Sequence, residues 1–146
     1  MADLVAARNC PVIVMHNRNS ADPAIDIMQD IAAFFVRSLD IAHKAGIPRA
    51  NIVLDPGIGF GKTKVQNLKA LASTARLREA FGLPILIGVS RKRLFGDLLG
   101  SSVEGRLIGT LDANLATLAQ GAAVFRVHDA AEHAAAFKVF EAIRRA

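Results

Sequence analysis

Four short apolar segments, each followed by a helical pattern, leave few folds open to this chain. The segments are residues 11–15, 51–54, 84–87 and 122–125. They are rich in β-branched residues and do not alternate with polar ones, which is typical of parallel strands covered on both faces. The order strand, helix, strand, helix predicts an α/β fold with a parallel sheet.

The clearest helical pattern predicts a helix with Asp22 as its N-cap and Pro23 as its first residue. This helix is predicted to end at Gly46. Its apolar residues fall on one stripe at helical spacing, which indicates a core-facing side. They are Met28, Ile31, Phe35, Leu39 and Ala42. Further helices are predicted over residues 66–80 and 129–145. Residues 93–120 predict a short helix, a loop around 100–102 and a longer helix.

The composition narrows the possible functions. A chain of 146 residues, 52% of them apolar, is long enough for one domain with a core. The sequence has no membrane-spanning stretch and no signal-peptide pattern, so we expect no contact with a membrane. Its single cysteine, Cys10, suits a reducing compartment, so we expect a cytoplasmic protein. The net charge of +5 comes from dispersed basic residues, and Tyr and Trp are absent, so nucleic acid is not an expected partner.

The segment LDPGIGFGKT, residues 54–63, is a near miss to two phosphate-binding motifs. A P-loop requires glycine where Pro56 stands, and proline has no N–H group to donate to a phosphate. The last glycine of a dinucleotide fingerprint would fall on Lys62. We therefore expect this loop to shape a pocket and not to grip a nucleotide.

Polar residues follow each of the four predicted strands. They are His16-Asn17-Arg18, Asp55, Ser90-Arg91-Lys92 and Arg126-Val127-His128-Asp129. Because the carboxyl ends of parallel strands meet at one rim, where α/β proteins carry their sites, these groups are expected to form one site.

Five segments resemble, in order and spacing, the C-terminal half of the dihydropteroate synthase family. They are PVIVMHN (11–17), NIVLDPGIGFGKT (51–63), LPILIGVSRKRLFG (83–96), GRLIGT (105–110) and GAAVFRVHD (121–129). The resemblance implies that residues 1–146 form the C-terminal half, strands five to eight with their helices, of a pterin-binding (β/α)8 TIM barrel. The N-terminal half, strands one to four, would lie outside this sequence, because a complete barrel needs about 250 residues.

The resemblance implies a transferase of folate biosynthesis, the target of sulfonamide drugs. It joins p-aminobenzoate to 6-hydroxymethyl-7,8-dihydropterin pyrophosphate and releases pyrophosphate, and this half alone is expected to be inactive. The implied catalytic residues are Asp55 and Lys92. The implied pterin contacts are Asp55, Lys92, Met15, Phe60 and Gly88; the p-aminobenzoate contacts are Ser90, Phe60 and Lys92; the pyrophosphate contacts are Arg126 and His128. Mg²⁺ is the implied cofactor, with no ligand in this half.

The same residues have simpler interpretations. Asp-Pro-Gly is a common turn sequence, Lys92 could be a solvated lysine, and Ser90 could be a helix N-cap. Asp129 is expected to cap the final helix, and His43 and His133 are expected on helix surfaces. Two other functions stay open: a folate-binding methyltransferase of similar fold, and a pterin-binding module without catalysis. An exposed inner sheet face would favour a homodimer or association with the other half-barrel.

Overall fold

A computed structural model describes residues 1–146, except for the side chain of Glu104. Four parallel strands form the centre of the molecule. They are β1 (Val12–Met15), β2 (Ile52–Asp55), β3 (Leu86–Ile87) and β4 (Val124–Phe125). Each lies within two residues of a segment predicted from the sequence, so the predicted strand positions and the α/β class are confirmed.

The strands lie side by side in chain order. Val12 pairs with Ile52 and Met15 with Asp55, Leu86 pairs with Val124, and a parallel bridge between Leu54 and Ile85 joins the two pairs. Parallel neighbours in chain order, with a helix after each strand, match four consecutive β/α units of a (β/α)8 barrel.

Seven helices accompany the strands in the part of the chain that the structure describes. They are α1 (Ala2–Arg8), α2 (Ile27–Lys44), α3 (Lys64–Ala72), α4 (Thr74–Phe81), α5 (Arg93–Leu99), α6 (Leu107–Ala119) and α7 (Ala130–Arg144). Short 3₁₀ turns precede β2 and α6, at Arg49–Asn51 and Glu104–Arg106. The short helix, loop and longer helix predicted over residues 93–120 are confirmed.

The start of α2 differs from the prediction. Asp22 does not cap a helix, because its carboxylate accepts the N–H of Ala24 at 2.9 Å within a turn. The cap is Asp26, whose carboxylate accepts the N–H groups of Met28 at 2.9 Å and Gln29 at 3.4 Å. The predicted end is confirmed, since Gly46 has φ of 79° beyond the last turn.

Three further details correct the sequence interpretation. The helix predicted over residues 66–80 is broken at Ser73, which ends α3 and precedes α4. Asp129 stands at the N-cap of α7, but its carboxylate makes no cap bond. His133 is not on the surface: it is 2% exposed, and its ring packs edge-on against Phe137.

The main core lies between the sheet and the helices. The alternate strand residues Ile52, Leu54, Ile85 and Ile87 point to this side and pack with Ile31 and Phe35 of α2. Because side chains alternate along a strand, the strand residues between these point to the opposite, inner face of the sheet. Asp55 lies at the rim where this inner face ends.

Candidate functional site

Asp55 is the last residue of β2 and is buried. Its Oδ1 accepts the N–H of Gly57 at 2.7 Å, which turns the chain away from the sheet. Burial raises the pKa of the Asp55 carboxyl above its ordinary value, although Lys92, Arg126 and Lys62 each oppose the increase. Its carboxylate therefore lies in a desolvated position surrounded by positive groups, and it retains lone pairs that can accept hydrogen bonds from a ligand.

Lys92 reaches the same region from the end of β3. The residue before it, Arg91, has φ of 55°, and the chain then enters α5 with Lys92 as N-cap. The Lys92 ammonium donates to the carbonyl of Ile58 and lies 4.3 Å from the ring centroid of Phe60, a cation–π contact. Burial lowers its pKa, which Asp55 partly offsets.

Arg126 follows β4 and extends across Gly88, the residue after β3. A Cβ built on Gly88 would lie 3.1 Å from a terminal guanidinium nitrogen, so the absence of a side chain makes room for Arg126. The positive charge of Arg126 also lowers the pKa of both Asp55 and Lys92. The structure thus brings together three of the predicted site residues, which lie at or after the ends of β2, β3 and β4.

Ser90 and His128 contact each other directly. The Ser90 Oγ lies 2.8 Å from Nδ1 of His128 and accepts the His128 N–H at 3.1 Å. This contact aligns the ends of β3 and β4 and leaves His128 exposed at the rim. Asp129 pairs with the Arg91 guanidinium, which lowers the Asp129 pKa. That pairing is the reason why its carboxylate does not cap α7.

Met15 and Phe60 supply apolar surface at this rim. Met15 is the register partner of Asp55, so the two side chains lie next to each other on the inner face of the sheet. Phe60 is half-buried in the loop after β2, under the Lys92 ammonium. Both therefore add apolar surface beside the Asp55 carboxylate.

The Gly-rich loop does not have the structure of a phosphate-binding loop. Thr63 and Gln66 close the start of α3 as a capping box, with bonds of 3.2 and 2.9 Å. The N–H groups of Gly57 and Gly59 donate to Asp55 and Asn67. These backbone donors are already used within the protein, as the near miss to the P-loop motif predicts.

A buried polar network beneath this loop was not predicted from the sequence. The Lys62 Nζ lies 2.8 Å from Nδ1 of His16, and Nε2 of the same ring lies 3.0 Å from Oδ2 of Asp30. The Arg18 guanidinium donates to the same Asp30 oxygen at 2.9 Å. Burial lowers the pKa of His16, and the positive charge of Lys62 lowers it further. Asp30 lies in α2, and no local motif links it to a loop more than 25 residues further along the chain.

A basic cavity of about 330 Å³ adjoins Lys92 between the loop after β2 and the start of α5. Six of its eight lining residues are polar or charged, and three of them besides Lys92 are cations. The lining residues are Gly59, Lys62, Lys64, Asn67, Lys92, Arg93, Leu94 and Asp97. The positive charge of this lining suits an anionic ligand.

The described residues contain no group of three His, Cys, Asp or Glu side chains arranged to hold a metal ion. In the same part of the chain, no helix is long and apolar enough to cross a bilayer.

The fold and this rim define an α/β protein whose candidate binding site lies at the carboxyl ends of its parallel strands. The sequence matches the family described as pterin binding enzyme over residues 1–128. The chain belongs to this family.

Relatives extend this result. The chain is 41% identical to a dihydropteroate synthase of Clostridium beijerinckii over 146 residues, which cover 99% of this chain and 54% of the relative. A dihydropteroate synthase structure from Clostridium difficile, determined in the presence of pteroic acid, is 36% identical with a TM-score of 0.93 and is matched over 100% of this chain and 55% of its own. The Xanthomonas albilineans enzyme with 4-aminobenzoic acid is 37% identical with a TM-score of 0.94, over 99% and 53%. The chain thus spans about half the length of the relatives that it matches.

Proposed function

We propose that this chain forms the C-terminal half of a dihydropteroate synthase. In the proposed reaction the amine of p-aminobenzoate attacks the methylene carbon of 6-hydroxymethyl-7,8-dihydropterin pyrophosphate. A C–N bond forms, the C–O bond to pyrophosphate breaks, and the amine loses a proton. The convergence of Asp55, Lys92 and Arg126 at one rim is the observation that carries this proposal.

Asp55 holds the pterin in this proposal. A carboxylate accepts two parallel N–H bonds from the 2-amino-pyrimidinone edge, which fixes the orientation of the ring. The same negative charge stabilises positive charge that develops on the pterin as pyrophosphate leaves. Lys92 lies beside Asp55 and donates to the pterin carbonyl and ring nitrogen, while Met15 and Phe60 contact the ring faces and Gly88 leaves space for Arg126.

Arg126 and His128 bind the pyrophosphate. They are two residues apart at the end of β4, so their side chains leave the strand on the same side, and both are exposed at the rim. The guanidinium of Arg126 offers paired donors that match phosphate oxygens. The Nε2 of His128 is directed away from the Ser90 contact and is available to donate.

The benzoate is placed next to Lys92 and Phe60. The Ser90 hydroxyl, which also contacts His128, is proposed to hold its carboxylate. The adjoining basic cavity, with Lys64 and Arg93 in its lining, adds positive charge for the carboxylate. In this arrangement Ser90 aligns His128, while Phe60 contacts the benzene ring.

Mg²⁺ is an expected cofactor that would neutralise the leaving pyrophosphate. By the family resemblance, its protein ligand is expected in the N-terminal half of the barrel. No step above depends on the metal ion. The free and exposed Cys10 is compatible with the reducing cytoplasm, where we place the protein.

A folate-binding methyltransferase is the alternative activity, since it would also use a carboxylate to hold the pterin. The cluster of Arg126, His128 and Lys92 favours the synthase, because transfer of a methyl group requires no pyrophosphate site. Binding of pyrophosphate therefore separates the two functions.

Binding by the 146-residue chain is the appropriate test, because positioning groups of the other half are expected to be needed for turnover. We expect titration calorimetry to detect pteroic acid and, separately, inorganic pyrophosphate. Arg126→Met should weaken pyrophosphate binding about tenfold or more, since a charge-assisted contact contributes at least ~1.4 kcal/mol. Arg76→Met removes an exposed arginine outside the site and should change neither affinity. Pteroic acid binding without pyrophosphate binding would favour the methyltransferase, and no binding of either ligand would contradict the proposal.

A further inference from the structure

Lys62 is a buried cation beneath residues 56–61, the loop that follows Asp55. The residue is only 8% exposed. Its Nζ lies 2.8 Å from the carbonyl oxygen of Gly57, 3.2 Å from that of Phe60 and 2.8 Å from Nδ1 of His16. An ammonium group has three N–H donors, and three acceptors surround this one. Lys62 is thus fully bonded inside the protein.

These contacts determine where the proton of His16 lies. Because an ammonium group only donates, Nδ1 of His16 accepts, and the ring proton is on Nε2. Nε2 then donates to Oδ2 of Asp30 at 3.0 Å, the same oxygen that accepts from Arg18 at 2.9 Å. A continuous chain of hydrogen bonds therefore runs from Asp30 on α2 through His16 to Lys62.

Gly57 connects this chain to Asp55. Its carbonyl accepts from Lys62 and from the N–H of Phe60, at 2.8 and 3.1 Å. Its own N–H donates to the Asp55 carboxylate at 2.7 Å. A Cβ built on Gly57 would lie 1.8 Å from the carbonyl oxygen of His16, so the peptide is pressed against the end of β1. A shift of this peptide would move the bond that orients Asp55.

We propose that Lys62, oriented by His16 and Asp30, is a positioning residue that holds the 56–61 loop and thereby fixes the direction of the Asp55 carboxylate. The effect on the loop stands independently of any activity. The effect on pterin binding rests on the proposed function.

The charges around Lys62 make this role accessible to titration. Burial lowers the pKa of Lys62 to about 8, Asp55 and Asp30 raise it, and Lys92 and Arg18 lower it. His16 contacts the ammonium directly and is itself held neutral by burial and by Lys62. At neutral pH the ammonium is charged and holds both carbonyls, and above about pH 8 the neutral amine holds them less strongly.

The test follows the carbonyl ¹³C resonances of Gly57 and Phe60 against pH, because these carbons report the Lys62 bonds and do not exchange with solvent. In the 146-residue chain we expect both to titrate near pH 8. In Lys62→Met the titration should vanish, and the affinity for pteroic acid should fall about tenfold, as expected for the loss of charged hydrogen bonds. Lys44→Met, which removes an exposed lysine paired with Asp40, should change neither.

Two substitutions of His16 provide a second route if Lys62→Met does not fold. The side-chain oxygen of asparagine can replace Nδ1 as the acceptor for Lys62, whereas glutamine can replace only the donor to Asp30. His16→Asn should therefore keep more of the carbonyl titration and of the pteroic acid affinity than His16→Gln.

The outcomes separate this proposal from the function it refines. Carbonyl resonances that do not respond to Lys62→Met, or unchanged pteroic acid affinity in a folded Lys62→Met chain, would overturn the positioning role. If the unsubstituted chain shows the titration but binds no pteroic acid, the hold on the loop is supported and the proposed synthase function fails.

Discussion

At the scale of single residues, the site contains a buried carboxylate whose ionised form is less favourable in the folded chain. Asp55 is 4% exposed at the end of a strand, and burial raises the pKa of its carboxyl despite three nearby cations. The net direction of this shift means that the ionised form is less favourable in the folded chain than in the unfolded chain. The charge on Asp55 therefore does not stabilise the fold at neutral pH.

Asp55→Asn is expected to stabilise the fold at neutral pH and to weaken pteroic acid binding. A raised carboxyl pKa means that stability falls as pH rises from the ordinary value of 3.8 through the folded-state pKa. Asparagine keeps an oxygen for the Gly57 N–H and carries no charge to desolvate. The melting temperature of the variant should therefore exceed that of the unsubstituted chain at pH 7, and the difference should shrink at acid pH.

The same substitution should remove a pH dependence of binding. Protonation of Asp55 deprives the ligand of an acceptor, so pteroic acid affinity of the unsubstituted chain should fall as pH decreases through the raised pKa. Because the ligand has its own carboxyl, the comparison at each pH is with Asp55→Asn, in which residue 55 no longer titrates. Parallel pH profiles for the two chains would contradict the role of Asp55.

Some of these residues are predictable from sequence for a physical reason. Asp55, Lys92 and Arg126 each follow a recognisable strand, and the rule that parallel strands end at one rim brings them together. Lys62 and His16 depend on Asp30, which lies in a different helix, and on a loop path that no local pattern specifies. The network is created by tertiary packing, so the sequence contains these residues but does not indicate that they contact each other.

At the scale of elements, the break between α3 and α4 is held by a distant side chain. Gln120, which follows α6, donates to the carbonyl of Leu71 at 3.2 Å and accepts the N–H of Ala75 at 3.4 Å. These backbone groups flank Ser73, where the helical bonding pattern is interrupted. Residues 66–80 contain no proline or glycine, so one continuous helix was predicted and the break was missed.

Gln120→Ala should destabilise the chain by about 1–2 kcal/mol, because the Ala75 N–H loses the Gln120 oxygen and the Leu71 carbonyl keeps only the Thr74 hydroxyl as a side-chain donor. Gln29→Ala is the matched control, since Gln29 is exposed on α2 and its replacement should change stability by less than about 0.5 kcal/mol. Urea denaturation monitored by circular dichroism gives both values. Equal stability of the two variants would show that Gln120 does not hold the break.

At the scale of the whole molecule, the inner face of the sheet is open. Its helices cover only the other face, and Ile13 on β1 and Val124 on β4 are 54% and 38% exposed. β1 and β4 each have one strand neighbour in the part of the chain described, so an edge is open on either side. Open strand edges next to exposed apolar side chains favour pairing with another chain.

We propose that this face is covered by a second half-barrel, either another copy or the complementary half. Burial of apolar surface stabilises by about 25 cal/mol per Å², so covering a face of several hundred Å² contributes an amount comparable with the stability of a domain. Light scattering on the pure chain at micromolar concentration should therefore detect a dimer or larger species, unless the complementary half is supplied.

Ile13→Asp tests which surface is responsible. A carboxylate on the inner face would be buried without a partner on association, so this variant should shift the population toward the monomer by about tenfold or more in dissociation constant. Val65→Asp is the control, because Val65 is 70% exposed in the first turn of α3, where an acidic residue is favourable. If both variants associate as the unsubstituted chain does, or if that chain is a stable monomer, the open face is not an association surface.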